Sequence, residues 1–123
     1  MDKWSTGPFD NEEARETLAE VRNGELLLDA LLPSPTQRFI DADQGAIIVA
    51  LAHLSDSSDA NLPEGITAKH VAELRTPEVR ERLRQALEAV VMDPTVSGLC
   101  GEWQEAGAEK FHEWKAISHV ALH

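Results

Sequence analysis

Chemistry in this chain would have to come from its histidines, its one cysteine or its clustered carboxylates, and each of these sets is short of a partner. His112, His119 and His123 stand at i, i+7 and i+11, a spacing that puts them on one helical face. His119 and His123, four apart, could clamp a divalent ion, and Glu109 with His112 forms a Glu-x-x-His. Di-metal bundles use that spacing twice and add two further glutamates. No second Glu-x-x-His exists here, so no metal and no cofactor are assigned. The favoured reading is a solvated C-terminal helix, where protonated imidazoles suit the negative end of the helix dipole. Cys100 lies beside Gly101 near the start of the last helical stretch, and a helix N-terminus can lower a thiol pKa. A nucleophile also needs a base and an oxyanion donor. His53 and His70 are the available bases, and nothing in the sequence fixes either beside the thiol. A small buried residue is favoured, and no catalytic residue is assigned.

The paired carboxylates divide between caps and loops. Asp41 and Asp43 open an apolar stretch and read as capping residues, while Asp56 and Asp59 fall in a Ser- and Asp-rich segment without the glycine and closing glutamate of a calcium loop. No glycine-rich phosphate loop, nucleophile elbow or zinc cysteine set is present. Arg75, Arg80, Arg82 and Arg84 form the one basic patch, interleaved with Glu78, Glu81 and Glu88. At those spacings a salt-bridged outer face is expected.

The start of the chain holds the most informative stretch. Pro8 pushes Gly7 toward extended backbone, so a helix opens only afterwards. Asp10 is positioned to cap it, with Glu13 three residues on and Phe9 placed to staple onto Ala14. Trp4 needs a burial partner to justify its place. Two readings compete for Trp4, Phe9, Asp10 and Asn11. The favoured one pins the N-terminal segment beneath the bundle; the other makes these residues a small binding site for an anion at the positive end of the first helix.

The stretch Trp4-Ser5-Thr6-Gly7-Pro8-Phe9-Asp10-Asn11-Glu12 resembles the opening of a bacterial family of small proteins that begin Trp-Gly-x-Gly-Pro-Phe-Asp/Glu-Asn-Asp. Ser5 stands where the family has glycine, and Glu12 where it has aspartate. The similarity extends more weakly to the alanine-rich helix at 44–54 and to Ser97, Leu99 and Trp103. That family is a domain of unknown function, so the resemblance implies a shared fold and no activity.

The elements that must position these residues read as helices throughout. The first spans 11–23, with Ala14, Leu18 and Val21 at helical spacing and Asn23-Gly24 as its stop. A short helix is predicted over Glu25–Leu32. The run from Gln44 to Leu54 is almost wholly apolar, too long and alanine-rich for a strand, and follows a cap, so it reads as a helix with Ile47–Leu54 at the centre of a bundle. Ser55–Gly65 is a loop. Thr67 caps a predicted helix over Ala68–Arg75. Thr76-Pro77 opens another, with Val79, Leu83, Ala86, Leu87, Val90 and Val91 as its apolar face. Ser97 opens the last, along which Cys100, Trp103, Phe111, Trp114, Ile117 and Ala121 share a stripe that Gly107 could interrupt. The fold class is therefore all-α: one bundle-like domain of five or six helices over residues 1–123.

The formal net charge is −11, with 13 Asp/Glu against 4 Lys/Arg in residues 1–65 and 9 against 7 in the remainder. This balance opposes nucleic-acid binding, which needs cations to displace counterions from phosphates. With one cysteine, no signal-like N-terminus and no membrane-length apolar run, a cytoplasmic location is expected. The function expected is that of a non-enzymatic binding or protein-interaction module, an acidic antagonist of a basic partner such as a toxin-type nuclease. The alternative is a small enzyme with a cleft near the Trp4–Asn11 segment.

Overall fold

A computed structural model describes residues 7–9, 11–34, 36–120 and 122. It has six α-helices among these: α1 Glu12–Asn23, α2 Leu28–Leu31, α3 Ala42–Asp56, α4 Pro77–Met92, α5 Gly98–Glu105 and α6 Ala108–Ser118, with 3-10 turns at Asp59–Asn61 and Glu73–Arg75. The all-α, bundle-like fold expected from the periodicities is the one observed. Helix α3 is its axis. Asp41 caps α3 by accepting from the Gln44 N–H at 2.8 Å. Ile48, Val49, Ala50, Leu51, Ala52 and Leu54 are all buried, because α1, α2, α4 and α5 pack around them. A helix apolar on every side can exist only where neighbours cover its whole circumference.

Helix α1 lays Ala14, Leu18 and Val21 on this axis. It begins one residue later than the sequence predicts. The capping side chain is Asn11, whose Oδ1 accepts from the Ala14 N–H at 2.8 Å; Asp10, the expected cap, lies outside the described residues. With the cap at Asn11, the third helical position, where a reciprocal capping side chain would stand, is Ala14 rather than Glu13. The helix ends where Gly24 adopts a left-handed conformation at φ 69°. The Gly24 N–H then reaches Val21 O and the Glu25 N–H reaches Glu20 O, the double closure that a glycine permits at low cost.

Two predicted helices are shorter than expected. Of Glu25–Leu32, only Leu28–Leu31 is helical, since the chain leaves Gly24 extended, with Leu26 partly buried and Leu27 70% exposed. Ala68–Arg75 forms turns, with only Glu73–Arg75 as a 3-10 turn. Here the Thr67 N–H donates to His70 Nδ1 at 2.9 Å, a local bond of the kind that diverts backbone from a helix. Helix α4 follows the expectation closely: Thr76 caps it, Pro77 opens it and its six-residue apolar face is buried.

The last stretch breaks at Gly107, whose φ of 115° ends the helical path and folds α6 back on α5. The reversal stacks Trp103 on Trp114, with ring centres 5.8 Å apart and planes within 11°. Ile117 departs from the predicted buried stripe and is 39% exposed, because the break resets the phase of α6. Ala121 lies outside the described residues. One isolated parallel bridge joins Ile40 to Ser97. The Ile40 N–H donates to Val96 O at 2.7 Å and the Gly98 N–H to Ile40 O at 2.8 Å, so the starts of α3 and α5 are tied together. A Cβ on Gly98 would stand 3.1 Å from the Ala42 backbone nitrogen, so the close approach depends on glycine.

Candidate functional site

The N-terminal residues singled out by type are placed as follows. Phe9 is half-buried against the core, edge-on to the His53 ring of α3 at 6.3 Å and 80°. Asn11 is committed to the α1 cap. Trp4 and Asp10 lie outside the described residues. His53 is partly buried: its Nε2 is shielded from solvent, and neither it nor the Ser118 Oγ has a hydrogen-bond partner among the described residues. Burial pushes the His53 pKa down against the opposing pull of the Ser118 and Ile117 backbone and of the Asp56 charge. Neither the His53–Phe9 contact nor the burial of Ser118 is visible in the sequence, because the residues are far apart along the chain.

At the starts of α1 and α3 the fold assembles an acidic face. Glu12, Glu16 and Glu20 recur every four residues on α1, with Glu13 alongside. The starts of α1 and α3 bring the Glu13 carboxyl within reach of Asp43. Glu13's own backbone N–H pulls its pKa down, but partial burial and the Asp43 charge together leave it raised. None of Glu12, Glu13, Glu16 and Asp43 has an ion pair among the described residues. Of the two cations on α1, Arg22 is turned away, its Nε donating to Glu64 O at 3.0 Å.

The arginines expected on a salt-bridged face divide between two tasks. Arg84 pairs with Glu81 and Glu88 along α4, as the spacing implies. Arg84 and Gln85 hold the Glu81 carboxyl down at a pKa of about 2. Arg82 reaches across to Asp29 at 3.0 Å. Arg75 and Arg80 instead close the C-terminal end of α3. Arg80 donates to Ser55 O at 2.9 Å, and Arg75 to Ser57 O at 2.8 Å and to Asp59 at 2.6 Å. Carbonyls left over at a helix end attract cations of this kind. They line an open cleft of about 590 Å³ with Asp56, Asp59, Glu81 and Leu122. Its charges largely answer one another, which makes it a clamp on the helix end.

The remaining candidates carry no assembled chemistry. Cys100 is 1% exposed, and its Sγ donates to Val91 O at 3.4 Å. Burial pushes the thiol pKa up, and the nearby Lys115 charge does not reverse this. Cys100 is thus the small buried residue favoured from the sequence, and the lowering that a helix start can produce does not occur. His112 and His119 are exposed. Helix α6 ends at Ser118, so His119 falls beyond it and the single-face spacing is lost; His123 lies outside the described residues. Among the described residues no cluster of three His, Cys, Asp or Glu is arranged to hold a metal, and no helix is long and apolar enough to cross a membrane.

A family model described as a domain of unknown function, DUF4259, matches residues 3–117. This covers α1 through all but the last residue of α6. The chain belongs to the DUF4259 family. No curated protein matches the chain, and no solved structure does. Membership in DUF4259 agrees with the expectation of a family of unknown function, and the family's function is unknown.

Proposed function

We propose that this DUF4259 protein is a cytoplasmic, non-enzymatic interaction module of bacterial type that docks a basic protein partner on the acidic face formed by α1 and the start of α3. The observation that carries the reading is the meeting of Glu13 and Asp43 with no ion pair to either among the described residues. Like charges brought together by two helices cost stability in the free protein. A lysine or arginine from a partner would convert that cost into an attraction, and the surrounding Glu12 and Glu16 would speed encounter. The net charge of −11 points the same way. An antagonist of a basic enzyme would use such a face to cover the cationic surface its target presents to its substrate.

The test compares the immobilised wild-type protein with a variant carrying Glu12→Gln, Glu13→Gln, Glu16→Gln and Asp43→Asn. Both are exposed to native lysate at about 50 mM and about 300 mM salt. The expected result is a basic protein retained by the wild type, then shown with purified components to bind at least about tenfold more weakly to the variant and at the higher salt. Equal retention by the four-substitution variant, or no basic protein retained, would overturn the reading.

A further inference from the structure

We propose that His53 is an acid-sensitive latch that holds the Gly7–Phe9 segment and the end of α6 against the C-terminal part of α3. Three separate parts of the chain converge on this one ring. From the N-terminal side, Phe9 meets it edge-on at 6.3 Å. From α6, the backbone of Ile117 and Ser118 faces it, and Ser118 is fully buried with its hydroxyl unpartnered. On α3 itself, the His53 carbonyl accepts from both the backbone N–H and the hydroxyl of Ser57, so the ring's own helix end is held in place. The ring therefore sits on a fixed support and touches two other pieces of the chain.

The protonation state of such a ring decides how well the junction closes. Nε2 is shielded from solvent, and a charge placed there loses hydration. Among the described residues, the groups that meet the ring from outside α3 are uncharged: the Phe9 side chain and the Ile117 and Ser118 backbone. The charge that reaches it is that of Asp56, on its own helix, and burial outweighs it, leaving the pKa below the ordinary histidine value. An opened junction would return the ring to water and to its ordinary pKa near 6.5. The opened form thus binds the proton more tightly than the closed form. As pH falls below about 6.5 the opening equilibrium constant rises, by up to about tenfold per unit, until the folded pKa is passed. At neutral pH the ring is uncharged and the latch is shut.

Two measurements on the full chain test this. In an NMR titration of the wild type, the His53 ring is expected to titrate below the ordinary histidine value of about 6.5, and the amides of Phe9 and of residues 117–120 are expected to shift with the same midpoint. A midpoint at or above about 6.5 would overturn the proposal, whatever any variant does. In hydrogen exchange corrected for intrinsic rates, the junction amides are expected to quicken at least about threefold more than those of Leu83 and Leu87 in α4 between pH 7.5 and 5.5. His53→Gln, which keeps a polar planar side chain without the titration, is expected to abolish that difference. Equal quickening in α4 would indicate global unfolding, and persistence of the difference in His53→Gln would assign it to another group; either overturns the latch.

Discussion

At the scale of single residues, side chains that look reactive in the sequence are occupied with holding the structure. Asn11 spends its amide oxygen on the first turn of α1. Asn11→Ala is therefore expected to cost about 1 kcal/mol in a urea melt, and Asn11→Asp to retain most of the cap. Cys100 makes the same point more sharply. Its thiol lies under the end of α4 against the Val91 carbonyl, and burial raises its pKa, so neither access nor thiolate is available. Iodoacetamide labelling at pH 7.5 is expected to run at least about a hundredfold slower in the native protein than in urea. Rapid native labelling would mean that the thiol is presented to solvent after all.

At the scale of elements, two glycines three residues apart are expected to respond in opposite ways. Gly98 sits where the starts of α3 and α5 are bridged, and a Cβ there would stand 3.1 Å from backbone. Backbone on both sides cannot step aside as a side chain end can. Gly98→Ala is expected to lose about 1–3 kcal/mol. Gly101 lies inside α5 with nothing within 4 Å of the corresponding position. Gly101→Ala should gain about 0.5–1 kcal/mol, through better helix propensity and a less disordered unfolded chain. Paired thermal melts check both, and the same sign for the two would mean that the α3–α5 approach is looser than described.

For the whole molecule, the uneven charge becomes a matter of where the carboxylates land. Glu13 has its pKa raised on balance: its own backbone N–H works downward, and burial and Asp43 outweigh it. A folded state that holds the Glu13 proton more tightly than the unfolded one gains stability as pH falls through the carboxylate range. Glu13→Gln is accordingly expected to raise stability at pH 7 by a few tenths of a kcal/mol, with the gain vanishing near pH 3. Glu81 behaves in the opposite sense. The Arg84 hydrogen bond, helped by Gln85, depresses its pKa to about 2, so its contribution is full above the ordinary carboxylate range and is lost progressively as pH falls through that range toward about 2. Thermal melts of the wild type and Glu13→Gln at pH 7 and pH 3 separate the two.

The parts of this protein that its sequence determined are those that depend on residues three or four apart. Asp41, Thr76 and Ser97 cap α3, α4 and α5 as their neighbours dictate. The six-residue apolar face of α4 and the all-round apolar character of α3 follow from helical periodicity alone. Where local signals compete, the reading slips. Both Asp10 and Asn11 are competent caps, and His70 diverts the turn that Thr67 would have opened. The N-terminal motif was legible as a motif, yet the use of Asn11 as a cap and of Phe9 as a wall for His53 was not. Only tertiary structure decided that Glu13 would face Asp43, that Arg75 and Arg80 would turn onto the end of α3, and that His53 would be walled in by Phe9 and Ser118. These pairings join residues distant in the chain. They arise from how helices pack around α3, and packing is settled by shape and burial over the whole molecule, not by any local spacing.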